Sequence, residues 1–288
     1  MSKKTGIRNE IFLLPGLLGL MVFIFAISYS VYMSFYRYKL GFTEPTYVGL
    51  KNFVDLLTND VIFRTAIVNT LYFVVVATTL EILYGILLAV LLYWSKYRYL
   101  FLPFLLVPML LPAVNVVVLW RFMFHPEYGL VNMFLKTFGF APIDPLNDPT
   151  WAMPTIILMD MWQMTPFVMI IILAGLSTVP NEIITAARID GASKLSMTLK
   201  ILLPLTKNII MAVVLLRLID AFRIFAKVQL LTRGGPGIAT ETLELQIYNR
   251  GVRGLEIGLG SSMSVIFILL AMTVIVPYMI MVIKGWRR

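Results

Sequence analysis

Four charged residues interrupt the apolar run from Ile209 to Leu231: Arg217, Asp220, Arg223 and Lys227, at spacings of three, three and four. At about 100° per residue on a helix, they are predicted to share an arc of about 120°, one face. A charge at the bilayer centre costs roughly 2.5 to 3.5 kcal/mol on insertion scales, so the stripe is expected to face protein or water. Two chemistries fit it. One is an internal ion pair between Arg217 and Asp220, neighbours at i and i+3, that fixes helix packing; the other is the polar wall of a passage for a solute. Asp160, Trp162 and Gln163 stand in a second apolar run near Pro154 and Pro166, and Asn115 stands in a third, after Pro103, Pro108 and Pro112. Proline frees carbonyls that water or neighbours must satisfy, which suits a passage lining and equally a packing kink. Glu81 reads as a structural partner for a cation or hydroxyl.

The elements that hold these residues follow from composition. Of 288 residues, 59% are hydrophobic and 14% charged, which is not the make-up of a soluble domain. Spanning a hydrocarbon core takes about 20 mostly apolar residues. Six runs qualify: Ile11 to Tyr36, Thr65 to Tyr93, Leu100 to Trp120, Ala152 to Leu176, Ile209 to Leu231 and Gly258 to Ile283. An all-α, polytopic membrane protein with six transmembrane helices in a single domain is therefore expected. The first run follows Lys3, Lys4 and Arg8 but is too long for a signal-peptide core and has no clean cleavage site, so it is read as retained. With the N-terminus inside, the inner face carries twelve Lys and Arg against three acids, whereas the outer loops carry nine against nine. That asymmetry predicts both termini in the cytoplasm and explains the basic excess through topology and lipid headgroups rather than nucleic acid.

No cysteine and only His125 among histidines exclude disulfides, thiolate metal sites and histidine clusters. No spacing of metal ligands and no nucleophile–base–orienter set is present, so catalysis by this chain is not expected. The turn "RGGPG" lacks the Gly-Lys-Ser/Thr ending of a phosphate-binding loop.

Between the fourth and fifth runs lies the largest inner loop, Pro180 to Pro204, "PNEIITAARIDGASKLSMTLKILLP". Two short helices around an elbow are predicted. Pro180, Glu182, Ala186 and Ala187 suit the first helix, Asp190 and Gly191 break it, and Ser193 caps a second whose Leu195, Leu199 and Leu202 recur on one face. A helix lying on lipid would want Trp, Phe and Leu bulk; the small residues Ala186, Ala187, Gly191, Ala192 and Ser193 instead favour close approach of another protein.

"AARIDGAS" followed by "ILLP" resembles the EAA signature of ABC importer permeases, whose loop is a coupling helix seated in the ATP-binding subunit. Two positions depart from it: Thr185 stands where the family has its naming glutamate, and Thr198 where it has phenylalanine. "LLTRGGPGIATETLELQIYNRGV" resembles the corresponding block of carbohydrate-importer permeases of the maltose-F or glycerol-phosphate-A type, and "HPEYGLVNMFLKTFGF" and "VGLKNF" fit the same group.

The resemblance implies the type I ABC importer permease fold, with ATPase-coupling residues Glu182, Thr185, Ala186, Ala187, Asp190, Gly191, Ala192, Ser193 and Pro204. It implies a substrate pathway at Gln163, Met164, Phe167, Arg217, Ala221 and Ile224, to which Asp220 and Asn115 are added from the residues themselves. A loop facing the binding protein or the outer mouth is implied at Gly234, Gly235, Pro236 and Thr240. An arginine at a sugar-contact position implies an anionic substrate such as a phosphorylated polyol or a uronic acid, unless Asp220 already neutralises it. The implied partners are a second permease subunit, two cytoplasmic ATP-binding subunits that carry ATP and magnesium, an extracytoplasmic substrate-binding protein and membrane lipid, in the cytoplasmic membrane of a bacterium or archaeon. The competing reading is an ion-gradient-driven transporter using Asp160, Asp220 and Glu81, though no inverted repeat supports it; a third is a non-transporting membrane scaffold.

Overall fold

The computed structural model describes residues 14–286; Ile11 at the head of the first expected run, and Lys3, Lys4, Arg8, Glu10, Arg287 and Arg288 of the expected inner face, lie outside them. Nearly every described element is helical. Helix α1 is Leu14–Met33; a two-stranded antiparallel pair follows, β1 Tyr36–Arg37 with β2 Thr46–Tyr47. Then come α2 Lys51–Thr58, α3 Val61–Trp94, α4 Arg98–Leu110, α5 Ala113–Met123, α6 Leu130–Thr137 and α7 Ala152–Leu176. The loop from Pro180 to Pro204 holds α8 Asn181–Ile189, α9 Lys194–Met197 and a π-turn at Thr198–Leu202, and runs into the short turn α10 Leu203–Leu205. The chain finishes with α11 Lys207–Ala221, α12 Phe225–Leu231, α13 Leu243–Gln246, a second π-turn at Ile247–Arg253 and α14 Ile257–Trp286.

Four of these helices are long and apolar enough to cross a membrane, α1, α3, α7 and the last, and two bent helix pairs raise the number to as many as six. The third expected run is two helices, α4 and α5, meeting at 97°. The break falls where it must: Leu111 precedes Pro112, whose ring disfavours a helical conformation before it, and Leu111 is extended at ψ 133°. The fifth run is also divided, α11 stopping at Ala221 and α12 resuming at Phe225, so the four charges do not share one continuous helix.

The chain separates into two compact units. The first joins residues 1–63 to 246–269. Within it the Asn52 amide donates to the carbonyls of Ser34 and Tyr36, and Arg250 bridges Asp60 at 2.5 Å and Glu256 at 3.1 Å. The second, residues 64–245 and 270–288, holds the site described below. Its central helix is α7, apolar on all sides and buried along most of its length, as a helix hydrophobic all round should be. Gly85 of α3 lets the backbones approach here, since a Cβ at that position would sit 2.4 Å from a methyl of Val168.

Candidate functional site: a buried charge knot and an exposed elbow

Arg217 is 1% exposed and, among the described residues, the largest side chain fully buried. Its Nε donates to Glu81 of α3 at 2.6 Å, its Nη2 to Asp160 of α7 at 3.1 Å, and its Nη1 to Asp220 one turn along its own helix. Lys227, arriving from α12, donates to the other oxygen of Asp160. Four helices thus meet at one ion cluster. Its formal sum, two cations against three carboxylates, is negative, and the excess carboxylate is Asp220, the member that reaches the surface with a side chain 48% exposed. Burial of an ion is tolerable only when paired and hydrogen-bonded on all sides, and Arg217 has a carboxylate on each of its three nitrogens. The break after Ala221 is what swings Lys227 onto Asp160. It is stabilised by Glu244, whose carboxylate accepts the Phe225 N–H at 2.8 Å and caps α12 from a later segment. Burial holds the Glu244 carboxyl above its ordinary range, partly offset by that N–H and by the Arg223 guanidinium. Among the described residues no cluster of three or more His, Cys, Asp or Glu side chains is placed to hold a metal ion.

The loop from Pro180 to Pro204 has the opposite character. Helix α8 starts after Pro180, with Glu182 in its first turn, and turns its Ile184 and Ala187 into an apolar core with Ala89 and Leu92 of α3 and Ile172 and Leu176 of α7. Gly191 makes the elbow at φ +77°, a left-handed conformation that side chains resist, and the Ala192 N–H closes it on the Ala187 carbonyl at 2.9 Å. Ser193 caps α9 by accepting the Ser196 N–H at 3.2 Å. Leu195, Leu199 and Leu202 do not share a face as expected. The π-turn at Thr198 widens the winding to i→i+5 bonds, so Met197, Thr198 and Leu202 go inside while Leu195 and Leu199 remain 68% and 56% exposed. At the elbow itself Ile189 is 82% exposed. The loop is therefore anchored on one side and presents apolar knobs on the other.

The family model for "Binding-protein-dependent transport system inner membrane component" matches residues 81–284, the stretch that contains both the knot and the elbow. The chain belongs to that family. Its members are inner-membrane permease components of binding-protein-dependent transport systems. The permease is 32% identical over 269 residues to the trehalose/maltose transport system permease protein MalF of Thermococcus litoralis, covering 93% of this chain and 90% of that one. It is also 32% identical over 269 residues to the sulfoquinovosyl glycerol transport system permease protein SmoG of Agrobacterium fabrum, covering 90% and 84%. A bacterial ABC transporter involved in the import of the acidic polysaccharide alginate contains a chain that superposes with a TM-score of 0.87 at 23% identity, over 98% of this permease and 96% of that chain. That likeness carries the fold, which is the type I ABC importer permease fold.

The permease distributes the expected residues unevenly. Of the pathway set, Gln163, Arg217, Ala221 and Ile224 are buried, Met164 and Phe167 half-buried, and Asn115 and Asp220 exposed. Gln163 donates at 2.8 Å to the Leu111 carbonyl, the group left over at the break between α4 and α5. Of the coupling set, Glu182, Thr185, Ala186, Asp190, Gly191 and Ser193 are exposed, Ala192 is half-buried, Ala187 is buried, and Pro204 lies exposed in α10. In the loop expected to lie outside, Gly234 and Thr240 are buried and Gly235 and Pro236 half-buried, while Arg233 and Gly237 are exposed. Thr240 donates to the Gly235 carbonyl at 2.7 Å, and Asn69 of α3 donates to the carbonyls of Ile238 and Glu241 at 3.1 and 2.9 Å. The loop is thus stitched to the start of α3. Sequence reasoning passed over Asn69 and Thr70, whose hydroxyl accepts the Leu243 N–H at 3.0 Å; two adjacent polar residues in an apolar run were the available signal.

Proposed function

We propose that this permease forms half of the translocation pathway of an ATP-driven, binding-protein-dependent importer of a sugar or sugar derivative, and that the elbow between α8 and α9 docks on a cytoplasmic ATPase. The single observation that carries the reading is the elbow: a loop with its back buried against α3 and α7 and with Ile189 82% exposed at its tip. An exposed isoleucine on a pinned loop fits a protein groove better than water. Support for a saccharide comes from the relatives named for trehalose, maltose and sulfoquinovosyl glycerol transport. The case for an anionic substrate loses its footing, because Arg217 already faces three carboxylates. An ion-gradient mechanism is likewise less supported, since Asp160 and Glu81 each face a cation.

In this reading ATP binding by two partner subunits moves the elbow, the permease and a second permease subunit switch from inward to outward facing, and an external binding protein delivers the solute. Both termini lie in the cytoplasm. Two states must then be stabilised differently by the partners. The test is co-purification with the ATPase. No atom lies within 4 Å of a Cβ built on Gly191, so Gly191→Trp adds bulk at the proposed contact; Gly191→Ala imposes the same backbone strain without the bulk. Retention of the ATPase by Gly191→Ala and its loss by Gly191→Trp are expected; equal retention by both would sink the docking assignment.

A further inference from the structure

The inner end of α3 is a tryptophan, Trp94, and its surroundings join the elbow to the span. The indole Nε1 donates to the Thr198 hydroxyl at 2.9 Å, and that hydroxyl in turn donates to the Lys194 carbonyl at 2.8 Å, so both roles of the hydroxyl are filled. Thr198 is 4% exposed and opens the π-turn, so the bond fixes the place where α9 changes its winding. Two cations, one from each arm of the elbow, lie against the same ring: the Arg188 guanidinium 5.8 Å from the centroid, and the Lys194 ammonium at 5.6 Å. Both are within the range of a cation–π attraction. One indole therefore touches the arm before Asp190 and Gly191 and the arm after them. Thr198 is where the EAA signature has an aromatic ring, and here the ring reaches that place from the neighbouring span. The same helix carries Glu81 thirteen residues earlier, about 20 Å away at 1.5 Å per residue, and Glu81 ends on Arg217 in the knot.

We infer that Trp94 is a positioning residue for coupling: through the Trp94–Thr198 hydrogen bond and the two cations on its ring, it clamps both arms of the elbow to α3, so that displacement of the elbow moves the helix that holds Glu81. The inference rests on the elbow being the ATPase contact. The clamp is the specific link, because the apolar packing beside it, Ala89 and Leu92 against Ile184 and Ala187, tolerates small slides that a hydrogen bond does not.

The test uses the intact permease complex, purified with its ATPase subunits and reconstituted in lipid nanodiscs, with MgATP as the probe and amide hydrogen exchange as the readout. In the wild-type complex MgATP is expected to change exchange in residues 181–198 and also in residues 78–94. Trp94→Phe keeps the ring and the cation contacts but removes the donor; Thr198→Val removes the acceptor at nearly constant shape. Each should leave the response of 181–198 in place and cut the response of 78–94 about fivefold, the effect of one neutral hydrogen bond, with the double variant no worse than either single one. Undiminished response of 78–94 in both variants overturns the clamp alone, and so does a loss of protein yield with the response intact. A wild-type complex that holds no ATPase, or shows no response to MgATP in 181–198, overturns the docking assignment instead.

Discussion

The knot and the elbow are both polar interruptions of an apolar chain, and they resolve that condition in opposite ways. At the knot, Arg217, Lys227, Glu81 and Asp160 turn inward and pair with one another, with Glu81 Oε1 left buried without a hydrogen bond and only Asp220 reaching the surface. At the elbow the apolar backing is buried and the tip offers Ile189, Leu195 and Leu199 to whatever lies outside. Charge, for which the sequence left open an internal ion pair and the wall of a passage, is here paired between helices; the loop without its expected acid at Thr185 presents shape. Four helices supply the partners that make these charges tolerable in a span.

The comparison can be broken most sharply at Asp160. Asp160→Leu leaves Lys227 with no ion-pair partner in the knot and Arg217 short of one, and a buried pair that loses one member costs about 3 to 5 kcal/mol. Folded, monodisperse protein in detergent should largely disappear, whereas Asp220→Asn, at the exposed corner, should shift the unfolding temperature little. Equal losses from the two would mean the knot is not closed toward the interior. Next in size is Ile189→Asp. The unfolding temperature should stay put, because the side chain is 82% exposed, while affinity for the ATPase falls about thirtyfold or more, the signature of a buried interface anchor. Unchanged retention would leave the elbow without a contact role.

Smaller effects sharpen the border between holding and touching. Gln163→Leu removes the donor to the Leu111 carbonyl at the α4–α5 break and should destabilise by about 1 to 3 kcal/mol. If thermal unfolding is unaffected and only uptake falls, Gln163 touches solute rather than bracing the break. Smallest is Glu244→Gln, which keeps an acceptor for the Phe225 N–H but removes the charge. A folded-state carboxyl held above its unfolded value of about 4.3 binds its proton more tightly when folded; the associated stability is full below that value and is lost as pH rises through the folded one. The variant should therefore match wild type in acid and become slightly more stable than wild type toward neutral pH. A difference that grows as pH falls would contradict burial as the cause.

Much of the architecture was legible because bilayer thickness writes long apolar runs into the chain. The elbow was legible too, since its Gly191 and its Ser193 cap are local devices whose partners lie within a few residues. What could not be read was set at a distance. The charged stripe breaks after Ala221 where Glu244 caps α12 from 19 residues away, so a helix wheel drawn through Lys227 could not succeed. Glu81 and Arg217 are separated by 136 residues, Trp94 and Thr198 by 104, and nothing near either residue names its partner. Leu195, Leu199 and Leu202 read as one face because periodicity assumes α winding, and the π-turn shifts that register so that Leu202 is buried while Leu195 and Leu199 are exposed.

Helix α1 has only Met33 buried among its twenty residues, whereas α7 buries sixteen of twenty-five. Any apolar side chain satisfies a position that touches nothing but hydrocarbon, while a position packed among neighbours accepts few volumes. A saturation library should accordingly find α1 permissive to exchange among Leu, Ile, Val, Phe and Met at almost every site, and α7 intolerant. The membrane-spanning helix that buries least is the one free to drift fastest.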